Sequence, residues 1–443
     1  MSALLLALAL AAVPAQPQNL SDAERADLLK QQAELFQQML KKPSDLDLAF
    51  KYADVSARLG DNEAAVTALE RMLLFNPKLP RVDLELGALY FRMGSFDISR
   101  DYFNKAAAGN PPADVQAKIN NYLGQIQKLS GGSQFSGFLF FGAQYQTDAN
   151  VAPGSPSILS PISPVVLSLS NDFVKQPDTN IFATTGWLYS YDLETENKDT
   201  IDVTGTAFGN HYFKFGRLDL ALGELTGGPR FNFSDPGLGA DKATLRPYAI
   251  LNEVGLGGNQ YFYTYGAGGE FGLIFPDNLT LTGRAEFRQK HFSNATDRPT
   301  SNQQSGNDKL VSLIGSKGIT DSSVLALEFD FLDQSTENRV LSNYTYAVSG
   351  NYRVRYEDPI GLLKFPWETV FSLARSWGLY QAPDPFFQTT RDDRRWRVGL
   401  TQNFQILDNL TLTFQLQRDI VSSSQSLFAY TSNSVLVGPQ IRF

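Results

Sequence analysis

Two spacings of apolar residues divide the chain. From residue 21 to about 129 they recur every three to four positions, as on one face of a helix, and from residue 135 onward they recur every second position, as on one face of a strand. The stretch SGGS at 130–133 separates the two and reads as a linker. Residues 435 to 443 show the second pattern plainly. Val435, Val437, Pro439, Ile441 and Phe443 share one parity, whereas Ser434, Gly438, Gln440 and Arg442 share the other, with Leu436 as the exception. Likewise Leu279, Leu281, Ala285 and Phe287 oppose Thr280, Thr282, Arg284, Glu286, Arg288 and Lys290. Trp396, Val398, Leu400 and Phe404 oppose Arg395, Arg397, Thr401 and Asn403, and Tyr344, Tyr346, Val348, Tyr352 and Val354 oppose Asn351, Arg353 and Arg355.

The alternating half holds fourteen such strands, at about 135–147, 180–192, 201–212, 217–232, 244–254, 260–273, 279–291, 309–315, 322–332, 341–356, 362–376, 393–405, 410–420 and 427–443. Counted back from Phe443, alternate connections are tight: LDN at 407–409, EDPIG at 357–361, SKGITD at 316–321 and PDN at 276–278. The others include long stretches rich in Ser, Pro, Asn and Asp at 148–178, 292–308 and 377–392. A transmembrane barrel alternates short periplasmic turns with longer external loops in this way. SDPGLGADK at 234–242 fits less well, being long for the tight side. Pro439 cannot donate to a ladder, so a local bulge or a weak seam is expected there.

The helical half carries a repeat. Ser21 and Glu24 have the residue types and spacing of a capping box ahead of LLKQQAELFQQML. Pro43, Pro77 and Pro111 then recur 34 residues apart, as do Gly60 and Gly94, and 34 is the period of the tetratricopeptide repeat. In this frame Ala65 and Ser99 sit at a helix crossing, Leu69 and Phe103 pack against the next helix, and a helix at about 113–129 caps the array. Stacked repeats leave a concave face lined by the first helix of each pair. Asp47, Phe50, Asp54, Arg58, Arg81, Leu84, Phe91 and Arg92 are the candidates for a groove that binds a partner segment.

Composition sharpens both halves. The chain has 32 Phe and 18 Tyr against 4 Met and no Cys. Aromatic residues suit strands and membrane interfaces. Lack of Cys excludes disulfides, thiolate catalysis and thiolate metal ligation, and 2 His leave little for an imidazole site, so neither metal nor cofactor is expected. A formal charge of -8 gives no basic footprint for nucleic acid. MSALLLALALAAVPA at 1–15 reads as an export signal with a cleavage site from Val13 to Ala15, although it lacks a basic start. No later apolar run reaches the ~18 to 20 residues of a membrane helix. The expectation is therefore a signal peptide (1–15), a periplasmic domain of α-helical tetratricopeptide repeats (21–129), a linker (130–134) and a 14-stranded antiparallel transmembrane β-barrel in the outer membrane (135–443). Its interior would be rich in arginine, with Arg284, Arg288, Arg353, Arg355, Arg395 and Arg397 set against Glu286, Glu328 and Asp330.

A strand that ends on an aromatic residue resembles the closing strand of outer-membrane barrels. There it is read by the barrel-insertion machinery, and Val437, Ile441 and Phe443 would carry the signal. An export signal, a few such repeats and a fourteen-strand barrel together resemble the surface lipoprotein assembly modifier family. YQTDANVAP (145–153), RPYAI (246–250), APDPFFQTTRDD (382–393) and SLFAYTSNSVLVGPQIRF (426–443) support that resemblance. It implies an export factor rather than an enzyme, whose repeats recruit an exported substrate protein or lipoprotein and whose barrel sits in outer-membrane lipid as the translocation component. Exopolysaccharide exporters also join such repeats to a barrel, usually with many more of them.

HFSNA at 291–295 resembles a third class, the outer-membrane lipid esterases with a His-x-Ser-Asn motif. His291 and Ser293 share the apolar parity of their strand, and His291 would act as base for the Ser293 hydroxyl if a third group oriented it. Asn302, Gln303 and Asp308 are the only nearby candidates for that role.

Overall fold

The computed structural model describes residues 22–42, 45–76, 79–109, 111–130, 132–159, 166–234 and 236–443, and the chain divides into a helical unit ending at Gly131 and a barrel beginning at Gly132. The expected export signal, Ser21 of the capping box, and Pro43 and Pro77 of the repeat lie outside the described residues.

The helical unit contains α1 (Asp22–Lys41), α2 (Leu46–Arg58), α3 (Asn62–Phe75), α4 (Pro80–Arg92), α5 (Phe96–Ala108) and α6 (Ala113–Ser130). α2 and α4 begin 34 residues apart, and so do α3 and α5. Gly60 and Gly94 show why. Each follows a helix at positive φ, 83° and 75°. Asp61 N donates to Ser56 O (2.9 Å) and Gly60 N to Ala57 O (3.2 Å), and the same pair of bonds recurs from Ser95 N to Tyr90 O (2.9 Å) and Gly94 N to Phe91 O (3.0 Å). This is the Schellman C-cap, which wants a left-handed residue. No atom lies within 4 Å of where a Cβ would stand at either glycine, so backbone conformation rather than space selects them. Asp45 and Asp61 cap the next starts by accepting from Leu48 N (3.3 Å) and Ala64 N (3.1 Å).

Small residues let the helices cross closely. Ser99 Oγ donates to Gly87 O (2.7 Å), and a Cβ added to Gly87 would meet the Phe103 ring at 2.9 Å. Phe103 is wholly buried and stacks on Tyr122 of α6 with centroids 4.8 Å apart. Ala65 and Leu69 are buried as the repeat frame expects.

The barrel half contains β1 (Ser133–Gln146), a small hairpin of β2 (Ser157–Leu159) and β3 (Val166–Ser168), then β4 (Asp178–Asp192), β5 (Thr200–Tyr212), β6 (Leu220–Ser234), β7 (Lys242–Leu256), β8 (Asn259–Phe275), β9 (Leu279–Phe292), β10 (Gly306–Thr320), β11 (Ser323–Thr336), β12 (Asn343–Tyr356), β13 (Trp367–Pro383), β14 (Thr390–Leu407), β15 (Leu410–Ser423) and β16 (Tyr430–Arg442). All but the hairpin join one closed antiparallel barrel of fourteen strands, in which β1 pairs with both β4 and β16. Directly opposite residues share a face, so parity propagates around the ring. One face exposes Phe141, Ile181, Leu225, Leu251, Phe271, Phe287, Leu313, Phe329, Val348, Leu373, Val398, Leu416 and Val437, an apolar outer belt.

Several boundaries differ from the sequence expectation. SKGITD is not a turn: β10 runs to Thr320 with a register shift between Gly318 and Thr320, leaving Asp321 and Ser322 as the turn. Polar composition does not stop a strand at a water-facing rim. EDPIG is only part of its connection, which continues to Pro366, because Asp358 accepts from Ile360 N (2.9 Å) and Leu363 N (2.6 Å) and folds the loop on itself. The connection expected at 377–392 shrinks to 384–389 as β13 and β14 extend beyond the belt. Gly257 and Gly258 (φ 59° and 80°) make a two-residue turn on the side expected to carry only longer loops. Residues 216–218 and 426–428 form short 3-10 turns rather than strand starts. The linker is shorter than 130–134, since α6 reaches Ser130 and β1 starts at Ser133.

The β1–β16 seam keeps one register from Phe138↔Arg442 to Gln146↔Ser434, so no bulge forms at Pro439. The ladder is instead interrupted there, with no pair between Phe140↔Gln440 and Ala143↔Val437. On its other side Pro439 stays in register with Leu412. Two features secure the seam below the gap. Gly137 and Phe443 exchange both backbone hydrogen bonds (2.9 and 3.0 Å), and the Phe443 ring stacks on Phe135 at 5.6 Å.

Replacing Phe103 with Ala should destabilise the helical unit by about 3–5 kcal/mol, the range for emptying a buried aromatic site. Denaturant titration followed by helical circular dichroism checks this. A loss below about 1 kcal/mol contradicts the packing role assigned to Phe103.

Candidate functional site

The inner wall of the barrel carries the charge. Arg284, Glu286, Arg288, Glu328, Asp330, Arg353, Arg355, Arg395 and Arg397 all have the parity opposite to the apolar belt. Each of the arginines lies within salt-bridge distance of a carboxylate. Arg288 reaches Glu224 Oε2 (2.6 Å) and Glu286 Oε2 (2.8 Å), and Arg284 is 3.8 Å from Glu328 Oε1. Ser312 Oγ joins the last group by donating to Asp330 Oδ1 (2.6 Å). Arg353 and Arg355 converge on Glu368 (3.8 and 2.9 Å), and Arg395 and Arg397 on Asp419 (2.9 and 3.0 Å).

Sequence reasoning missed half of these partners. Glu368 lies opposite Arg355 and Asp419 opposite Arg397, so register identifies both. It also missed a second group in which Arg230 (2.6 Å) and Arg246 (3.9 Å) share Asp202, with Glu270 3.8 Å from Arg230. The wall is therefore knitted strand to strand by pairs of opposite sign, the arrangement that holds charge in a partly dry interior.

One contact spans further. β8 contributes Gly266 and Gly268 to the inner face, and a Cβ at Gly268 would stand 2.7 Å from the Tyr248 ring and 2.9 Å from Glu286 Cγ. Without it, Tyr248 of β7 donates to Glu286 Oε1 of β9 (2.7 Å) across β8, and Arg288 of β9 reaches Glu224 of β6. Tyr248 and Glu286 are both buried. The run YGAGGEFG (265–272) looks like a weak strand in sequence, yet its glycines clear the path for this bridge.

The helical candidates separate into two sets. Asp47, Asp54, Arg58, Arg81 and Arg92 are exposed on α2 and α4, and the Arg81 guanidinium lies 4.8 Å over the Phe50 ring. Leu84 and Phe91 belong instead to packing: both flank the core around Phe103, and Phe91 meets Phe96 and Tyr122 edge to face. Sequence reasoning passed over the neighbouring cluster in which Tyr90 and Tyr102 stack at 5.6 Å and both donate to Glu70 Oε1 (2.7 and 3.2 Å). Burial, followed by Glu70, pushes both phenols up to about 12, which keeps them hydrogen-bond donors throughout the physiological range.

The His-x-Ser-Asn stretch does not assemble. His291 keeps its outward parity but stacks on Tyr263 (5.0 Å) and Tyr265 (5.7 Å). Ser293 lies past the end of β9 and donates to Gln260 Oε1 (3.1 Å). The three candidate orienting groups are engaged elsewhere: Asp308 with Lys290 (2.7 Å), Gln303 with Asn338 (2.8 Å), and Asn302 through its backbone with Asn294 (2.9 Å).

Glu286→Ala should lower barrel stability by about 1–3 kcal/mol, because it leaves the buried Tyr248 hydroxyl without an acceptor while Arg288 keeps Glu224. Arg355→Ala, at a half-exposed pair, should cost no more than about 1 kcal/mol. Urea unfolding in detergent, read by tryptophan fluorescence, compares them, and equal losses contradict the bridging role of Glu286.

No protein-family model and no curated protein matches the sequence. Among solved structures, the outer membrane protein OpdK from Pseudomonas aeruginosa is 10% identical with a TM-score of 0.32, covering 70% of this chain and 99% of that one. An anion-selective porin from Comamonas acidovorans is 9% identical (TM-score 0.36, 70% and 99% covered), and OprB from Pseudomonas putida is 9% identical (0.36, 72% and 96%). Likenesses this distant carry no functional inference, so function is argued from the geometry of this chain.

Proposed function

We propose that this chain is an outer-membrane export factor, in which the barrel spans the membrane and the helical unit recruits an exported protein or lipoprotein on the periplasmic side. The observation that carries the proposal is the pairing of a closed barrel, apolar outside and charged inside, with a separate helical unit whose hairpins recur at 34 residues. A closed barrel is one of the two ways a chain can satisfy its backbone in lipid. Strands of 13 to 18 residues exceed the ~9–11 that a tilted crossing requires. α6 leads into β1 at the barrel end where β16 also finishes.

Recruitment rests on α2 and α4, where Asp47, Asp54, Arg58, Arg81 and Arg92 are exposed and Arg81 lies over the Phe50 ring. Mixed charge around a ring suits an extended segment with charges of both signs. The resemblance to surface lipoprotein assembly modifiers points the same way. The wall pairs and the dispersed His291 and Ser293 lend nothing to lipid hydrolysis.

Deleting residues 22–130 tests the proposal. The barrel should still insert, and surface display of the protein encoded beside it should fall at least tenfold. Undiminished display contradicts recruitment, and loss of surface polysaccharide in its place supports the exopolysaccharide alternative.

A further inference from the structure

On three neighbouring strands an arginine interrupts the outward apolar run. Outward positions of β13 run Phe371, Leu373, Arg375, Trp377, Leu379; those of β14 run Leu400, Val398, Trp396, Arg394; those of β15 run Phe414, Leu416, Arg418, Ile420. In each case the cation lies on the side of Leu373, Val398 or Leu416 away from the barrel end that holds Ser133 and Arg442. At the opposite edge the same strands present Trp367, Phe404 and Leu412. The arginines thus sit to one side of Leu373, Val398 and Leu416, among Trp377, Leu379 and Ile420.

They are poorly neutralised. Arg394 is 3.5 Å from Asp392, but among the described residues Arg375 and Arg418 have no acidic partner, and Arg375 Nε is buried without a hydrogen-bond acceptor. Arg375 is held by aromatic faces instead, its guanidinium 4.3 Å from the Trp396 ring and 5.3 Å from Trp377. Trp396 lies opposite Arg375, and Val398 lies opposite Arg418. With strands ~4.8 Å apart, the two outer arginines are separated by roughly 10–12 Å along the wall. An unpaired guanidinium beside a hydrocarbon surface selects an anion that arrives with its own hydrocarbon, and its forked donors suit phosphate.

We propose that Arg375, Arg394 and Arg418, with Trp377 and Trp396, form a binding site for a phosphate-bearing lipid headgroup of the outer leaflet, its acyl chains lying on the belt below. The spacing favours a headgroup with phosphates at both ends. This rests on the reading that the belt faces lipid.

The test uses the full chain in nanodiscs of phosphatidylcholine doped with bisphosphorylated lipid A or with its dephosphorylated form, with bound lipid counted by native mass spectrometry. The wild type should prefer the phosphorylated form at least tenfold. Arg375→Gln with Arg418→Gln should abolish the preference while retaining the compact, heat-modifiable gel mobility of a folded barrel. Arg418→Gln alone, at an exposed position, should lose about fivefold, the scale of one basic residue at an anionic surface. A preference that survives in the double variant overturns the site, as does equal displacement by inorganic phosphate, which would assign it to the free ion. Failure of the wild type to enter nanodiscs at all is a separate result that removes the lipid-facing reading itself.

Discussion

Closure of the sheet is the constraint on which the rest depends. A strand at an open edge presents a row of unpaired N–H and C=O groups, which water can satisfy and hydrocarbon cannot. Fourteen strands solve this by pairing the first with the last, so the whole ring relies on the β1–β16 ladder. That ladder is interrupted opposite Pro439 and Gly438. Gly438 has little alternative there, since a Cβ would stand 1.9 Å from Phe141 O. The reciprocal bonds of Gly137 and Phe443 and the stacking of Phe135 hold the rim where the interruption leaves the middle weaker.

Closure also dictates where charge can go. With the outer face committed to apolar residues, each strand's polar parity turns inward, and arginines meet carboxylates from adjacent strands. Exposed pairs such as Arg355 with Glu368 contribute little individually. The contribution is larger where side chains are buried, around Tyr248, Glu286 and Arg288, and that group exists because β8 offers glycine instead of a side chain. The outer arginines on β13 to β15 depart from the rule, which is why they invite a ligand.

Parity and repeat spacing were legible in the sequence because each has a local cause. The 34-residue interval of Gly60 and Gly94 reports two identical helix caps, and fourteen strands follow from fourteen alternating runs. Boundaries were less legible. Ser316 and Lys317 look like turn residues but continue a strand, since polarity marks a turn only where a strand's end must leave the sheet. Partner identity needs register: nothing in the sequence alone ties Asp419 to both Arg395 and Arg397, or reveals that Phe91, next to the exposed Arg92, is taken up by packing against Tyr122. The half-buried Tyr90, Tyr102 and Glu70 cluster was missed for the same reason, as its members come from three helices.

The chain has no cysteine of its own, so an engineered pair reports a single contact. Gln144 lies directly opposite Leu436 across the seam, and Ser434 is one same-face step away. In cells expressing the full chain, Gln144→Cys with Leu436→Cys should form an intramolecular disulfide efficiently, and Gln144→Cys with Ser434→Cys should not. Cross-linking of the second pair in preference to the first, or of neither, would contradict a barrel closed in this register.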